Sequence, residues 1–145
     1  MELKFLKGDL FEADEDYFLA HCISADFALG AGIAKTFNEN FDMRARLRQA
    51  YGGMEREKLV GRALMIGRVF NLVSKERYFN KPTYKSLQSC LEDMRRIMEE
   101  NSITKLAMPK IGCGLDRLKW EKVESLLKET FEGTNTEILV YSLDQ

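Results

Sequence analysis

One histidine, two prolines and three cysteines are all that the 145 residues hold of those types. Cys22, Cys90 and Cys113 are odd in number and scattered, and His21 lies beside Cys22 rather than at a ligand spacing. Neither a disulfide framework nor a metal site is suggested. A lone histidine with no suitably placed partner also gives Ser/His and Cys/His catalysis little support. No apolar run approaches the roughly 18 residues of a membrane span, and Met1 is followed at once by an apparent strand, without a charged-then-apolar leader. The expectation is a soluble, cytoplasmic protein with no membrane contact. An excess of one charge is missing too: 22 Lys+Arg stand against 23 Asp+Glu. That balance excludes a general nucleic-acid-binding surface and leaves room for local patches only. Repeats, low-complexity tracts and Pro/Gly/Ser linkers are absent as well. One domain over residues 1–145 is expected, long enough to bury about two-thirds of the surface its unfolded chain exposes.

What is present is alternation of apolar patterns. "LKFLKGDLF" alternates Leu3 and Phe5 with polar neighbours, and "YFLAHCIS" is an apolar run of buried-strand length; both predict sheet. Ile33, Phe37 and Phe41 recur every four residues, which predicts a helix from Gly32 to about Phe41, continuing over Met43 to Tyr51 until Gly52-Gly53. "RALMIGRVFNLVSKE" predicts two strands turning near Gly67. Tyr84, Leu87, Leu91, Met94 and Met98 step by three and four, with Pro82 at the entry and Asn101 at the exit of a helix. "TKLAMP" predicts a strand. A helix then carries Trp120, Val123, Leu127 and Phe131 on one face, and "TEILVYSL" predicts a last strand. Strands alternating with helices give an α/β class with helices on both faces of a mostly parallel or mixed sheet. In such sheets ligands bind beyond the carboxyl ends of the strands.

Two loops fit that position. Gly112-Cys113-Gly114 follows a predicted strand just before a helix, and Gly30-Ala31-Gly32 does the same earlier in the chain. Small residues there would let backbone N–H groups approach an anion, or would only supply unusual backbone angles. Two such loops suit a diphosphate. The Lys35-Thr36 pair looks superficially like the end of a P-loop, but Leu29 and Ala34 break the Walker pattern, and Lys35 stands where a dinucleotide fingerprint needs its third glycine. Asp116 reads first as a helix N-cap. Lys81 reads first as a solvated lysine, although Pro82 disfavours helical geometry there and the next helix would bring its positive end close, lowering the ammonium's pKa toward a nucleophilic amine. His21 reads as a hydrogen-bonded core residue, and Cys113 as a small residue in a tight loop.

"KGDLF", "AHCIS" followed by "GAGIA", "NKPTY" and "MPKIGCGLDRLKW" occur in this order from about Lys4 to Leu143. Together they closely resemble the macrodomain group of terminal ADP-ribose protein glycohydrolases. The resemblance implies a three-layer α/β/α macrodomain with a mixed, mostly parallel six-stranded sheet and an ADP-ribose cleft at one end. It implies that Asp9 binds the adenine amino group with Leu10 beside it, and that Ser24 lies along the strand reaching the distal ribose. Gly30, Ala31, Gly32, Ile33 and Ala34 would form one diphosphate loop, and Ile111, Gly112, Cys113, Gly114 and Leu115 the other. Leu143 would help close the adenine end. The family's catalytic pair falls on Lys81, as nucleophile, and Asp116, as acid/base.

The activity so implied is removal of mono-ADP-ribose from acidic side chains, or from DNA bases or O-acetyl-ADP-ribose, through a lysyl–ADP-ribose intermediate without metal or cofactor. The partners would be ADP-ribose, ADP-ribosylated protein and, as a further case, ADP-ribosylated DNA, met by a monomer. A non-catalytic ADP-ribose reader would use the same cleft. One position departs from the family pattern: Asn80 stands before the lysine where relatives carry histidine. Asn80 can donate and accept hydrogen bonds but cannot titrate near neutrality.

Overall fold

The computed structural model describes residues 1–143. Strand β1 (Glu2–Lys7) leads through a 3₁₀ turn (Leu10–Glu12) to β2 (Phe18–Ser24), followed by helices α1 (Gly32–Phe41), α2 (Met43–Tyr51) and the single turn α3 (Arg56–Leu59). The hairpin β3 (Ala63–Ile66) and β4 (Val69–Lys75) precedes α4 (Tyr84–Glu100), β5 (Lys105–Met108), α5 (Trp120–Phe131) and β6 (Glu137–Ser142). The sheet order is β1-β6-β5-β2-β4-β3. All neighbours pair in parallel except the β3–β4 hairpin, so the sheet is mixed and mostly parallel, as the sequence predicts.

The alternation of elements forces this arrangement. Val69 to Ser74 of β4 are all buried, the pattern of a strand covered on both faces. One face of the sheet packs on α4 and α5 through Leu87, Leu91, Met94, Val123, Leu127 and Phe131. The other packs on α1, α2 and α3 through Phe37, Met43, Leu47 and Leu59. At about 25 cal/mol per Å² of apolar surface removed from water, these two layers supply the main stabilisation of the fold. Helix α4 is also capped at its start: Thr83 Oγ1 accepts from the Ser86 amide at 2.9 Å, and Ser86 Oγ accepts from the Thr83 amide at 3.1 Å.

Three local expectations change. The strand in "LKFLKGDLF" stops at Lys7, because Asp9 Oδ1 accepts from the Phe11 amide at 2.9 Å and turns the chain into the 3₁₀ turn. The helix over 32–51 is broken at Asp42, whose φ of 52° is left-handed. Helix α5 starts at Trp120, five residues beyond Leu115, so the second glycine loop does not lead directly into it. No helix among the described residues is long and apolar enough to cross a membrane.

Candidate active site

The parallel strands β1, β2, β4, β5 and β6 end on one side of the sheet, and the segments that follow them carry the candidate site residues. Asp9 follows β1, and Leu143 follows β6. These two strands pair with Lys7 opposite Ser142, and the Gly8 amide donates to the Ser142 carbonyl at 2.9 Å. Asp9 and Leu143 therefore flank one end of the rim. Both are exposed, whereas the Leu10 side chain is buried in the core on the α1 side. Any contact of Leu10 with a ligand is thus left to its backbone.

The β2–α1 loop is held in an unusual shape. Ser24, buried at the end of β2, donates from Oγ to Asp26 Oδ1 at 2.6 Å, and the same oxygen accepts from the Ala28 amide at 3.1 Å. Phe27 and Leu29 adopt left-handed φ of 56° and 42° although neither is glycine. Such residues cost on the order of 1–3 kcal/mol each and persist only where the surroundings impose them. Here the imposing group is Arg44 of α2, whose guanidinium donates to the carbonyls of Phe27, Ala28 and Leu29. The loop so fixed presents Gly30 and Ala31 to solvent, with Ala31 as the N-cap of α1. Ile33 and Ala34 are the half-buried first turn of that helix, whose free amides and dipole favour an anion.

The β5–α5 loop comes over this one. A Cβ on Gly32 would lie 3.6 Å from Leu115 Cδ1, so the two glycine loops face each other across a narrow gap. Ile111 is buried beneath, and Gly114 and Leu115 are exposed. Gly112 has a φ of 72°, and a Cβ there would meet Leu118 Cδ1 at 2.8 Å, so its glycine is demanded by the fold. Gly114 has no such demand: its φ is outside the left-handed region and a Cβ would meet nothing within 4 Å. Burial pushes the Cys113 thiol up to about 11, which makes it a poor thiolate nucleophile.

Asp116 is not an N-cap. Lys119 takes that position in α5, and its amide donates to Tyr84 Oη at 2.9 Å. The Asp116 carboxylate instead pairs with Lys75 at the end of β4, Oδ1 to Nζ 2.6 Å, with both side chains about 15% exposed. Lys81 is exposed and donates from Nζ to the Leu115 carbonyl at 3.2 Å. The two lysines thus grip adjacent residues of one loop. Asn80 has a turn-forming part: its Oδ1 accepts from the Arg77 amide at 2.9 Å and its amide donates to the Arg77 carbonyl at 3.0 Å. His21 lies in the core. It stacks on Phe37 with centroids 3.8 Å apart and meets Asn71 Oδ1 through Nε2 at 2.6 Å, and burial drives its pKa down to about 4.

Three features of the site had little or no signal in the sequence. Asp26 also accepts from the Tyr78 amide at 2.9 Å, tying the β2–α1 loop to the strap that carries Lys81. Burial raises the Asp26 pKa, but the hydrogen bonds from Ser24, Tyr78 and Ala28 outweigh it and hold the carboxyl below its usual range. The only hint was an aspartate two residues before an amide it could cap. Lys75 reads in sequence as one of several basic residues near a helix entrance. Tyr78 and Phe79 stand edge to face at 5.3 Å and are about two-thirds exposed, beside Lys81.

The macro domain family model matches residues 21–127. The ADP-ribose glycohydrolase OARD1 of Homo sapiens is 41% identical over 145 residues, covering 97% of this chain and 91% of the relative. The DNA ADP-ribosyl glycohydrolase of Thermus aquaticus is 25% identical over 150 residues, and this chain covers 41% of its length. Among solved structures, the macrodomain of Mycobacterium tuberculosis DarG superposes with a TM-score of 0.84 at 22% identity, covering 96% of each chain. With the family model spanning most of the sequence and the human relative 41% identical over nearly all of it, the chain belongs to the macro domain family.

Proposed function

We propose that this protein is an ADP-ribosyl hydrolase that frees acidic side chains of mono-ADP-ribose, acting as a cytoplasmic monomer of one domain. The observation that carries the reading is the convergence of both glycine loops with Lys81 and Asp116, which flank Leu115 through a carbonyl contact and through sequence. The relatives named as glycohydrolases support the same activity.

In this reading the diphosphate lies between Gly30–Ala34 and Ile111–Leu115, the adenine end meets Asp9 and Leu143, and the distal ribose reaches past Ser24 toward Lys81. Lys81, as the free amine, attacks the anomeric carbon. The N–C bond forms as the bond from that carbon to the acceptor carboxylate breaks, and the carboxylate departs with the bonding pair. Asp116 takes the proton lost by the amine and returns it as the sugar ring opens. Water then adds to the resulting iminium carbon, the N–C bond breaks, and ADP-ribose leaves with Lys81 restored. A carboxylate is already a good leaving group, so one nucleophile and one acid/base suffice.

One observation favours a second acceptor. The strap from Lys75 to Lys85 carries Arg77, Lys81 and Lys85 in the same stretch of sequence as the exposed Tyr78–Phe79 pair, and aromatic faces near cations suit unstacked bases. Parallel assays on an ADP-ribosylated glutamate protein and on ADP-ribosylated single-stranded DNA test both acceptors. Release from neither substrate would leave the non-catalytic reader as the function of the cleft. If the strap serves DNA, Tyr78→Ala with Phe79→Ala slows only the DNA reaction; equal slowing of both reactions would contradict it.

A further inference from the structure

We infer that Lys75 is the positioning residue for Asp116: its ammonium anchors one carboxylate oxygen and leaves the other to serve the reacting sugar. The inference rests on the hydrolase reading above and adds to it a residue with no assigned part. Lys75 is rigidly mounted. It is the last residue of β4, its carbonyl accepts from the Ala25 amide at 2.9 Å, and the neighbouring Ser74 carbonyl accepts from Ser86 Oγ at 2.6 Å. Asp116, by contrast, sits in a segment between β5 and α5 that has no helix or strand of its own. Order therefore passes from the lysine to the aspartate. The side chain of Lys75 spans from β4 past the end of β2 to the far loop, since β2 lies between β4 and β5 in the sheet. The pair is largely shielded from water, at 14% and 16% exposure, where an ion pair is less screened than on the open surface.

The second lysine explains why the anchor matters. In the unliganded protein Lys81 holds the loop tip through the Leu115 carbonyl. A nucleophile must abandon that contact to reach the anomeric carbon. From then on Lys75 retains the acid/base while Lys81 is occupied. Lys75 holds Oδ1, so Oδ2 is the oxygen left for proton transfer. The glycine half of the loop has its own fastening, from the Leu118 amide to the Gly112 carbonyl at 2.8 Å, so diphosphate binding is largely independent of Lys75.

The test separates positioning from binding and from stability. Lys75→Met should lower kcat by about 100-fold, the loss expected when a reacting group is misplaced by about 1 Å, with ADP-ribose affinity changed less than about fivefold. Lys75→Arg, which keeps a cation at that place, should recover at least about tenfold of the loss. A methionine variant within about threefold of the wild-type kcat would overturn the inference, as would an arginine variant no better than methionine. Hydrogen exchange in the ligand-free protein gives a reading that needs no turnover. The amides of Asp116 and Arg117 should exchange about tenfold faster in Lys75→Met, or in Lys75→Gln should the methionine variant melt early, with Leu118 and α4 unchanged. Unchanged exchange at Asp116 and Arg117 would overturn the positioning claim even were the wild-type protein inert, while an inert wild type with faster exchange would sink the hydrolase reading alone.

Discussion

The four loop glycines separate what the fold needs from what a ligand would need. Gly32 and Gly112 have left-handed φ of 58° and 72°, whereas Gly30 and Gly114 do not, and a Cβ on Gly30 would meet only the Ala28 carbonyl, at 3.8 Å. Nothing in the folded chain thus opposes an alanine at 30 or 114. If these backbones are small so that a diphosphate can approach their amides, Gly30→Ala and Gly114→Ala should melt at or slightly above the wild-type temperature, gaining up to about 1 kcal/mol from a less flexible unfolded state. Each should nevertheless weaken ADP-ribose by about 1–3 kcal/mol, the cost of a methyl group in a filled space, or roughly 5- to 150-fold in Kd. Gly112→Ala should behave in the opposite way. Its left-handed angle alone costs about 1–2 kcal/mol, and the 2.8 Å approach to Leu118 adds to that, so the melt should fall by about 3–8 °C. Scanning calorimetry and titration calorimetry with ADP-ribose on the same samples give both quantities. Wild-type affinity in Gly30→Ala and Gly114→Ala would refute the two-loop diphosphate site.

His21 has a folded pKa of about 4 against an ordinary 6.5, so between those values the unfolded chain binds the proton and the folded one does not. Stability is full above pH about 6.5 and falls as pH drops toward 4, by about 3 kcal/mol over the window at about 1.36 kcal/mol per unit. Urea unfolding at pH 7 and pH 5 should show it; His21→Gln should flatten the difference, and an unchanged slope would remove His21 as its source. Asp9→Ser keeps a cap for the Phe11 amide but is too short to reach a ligand. It should therefore melt like wild type while binding ADP-ribose about 1–3 kcal/mol more weakly, and unaltered affinity would take Asp9 out of the site.

Local periodicity carried the elements that pack. The β4 run, the α4 stripe and the Trp120–Phe131 face each show in a window of a few residues, and so does the placing of both glycine loops after strands. What escaped the sequence depends on separation. Lys75 and Asp116 are 41 residues apart, and no local pattern says that a β4 lysine reaches across β2. The start of α5 was misplaced for a related reason. An aspartate near a helix start resembles a cap, but the Lys119 amide donates to Tyr84 Oη of α4, and Asp116 pairs with Lys75 instead. The left-handed Phe27 and Leu29 were equally hidden, since apolar residues carry no turn signal and Arg44, from α2, accounts for their shape.

The central claim is that Lys81 performs the bond exchange at the sugar. Release of ADP-ribose from a glutamate-linked ADP-ribosylated protein, followed for wild type and Lys81→Ala side by side, tests it most directly. Release is expected from the wild type and not from Lys81→Ala, with ADP-ribose still bound by the variant, because the proposed binding contacts lie along the diphosphate and adenine. Release by Lys81→Ala at the wild-type rate would contradict it.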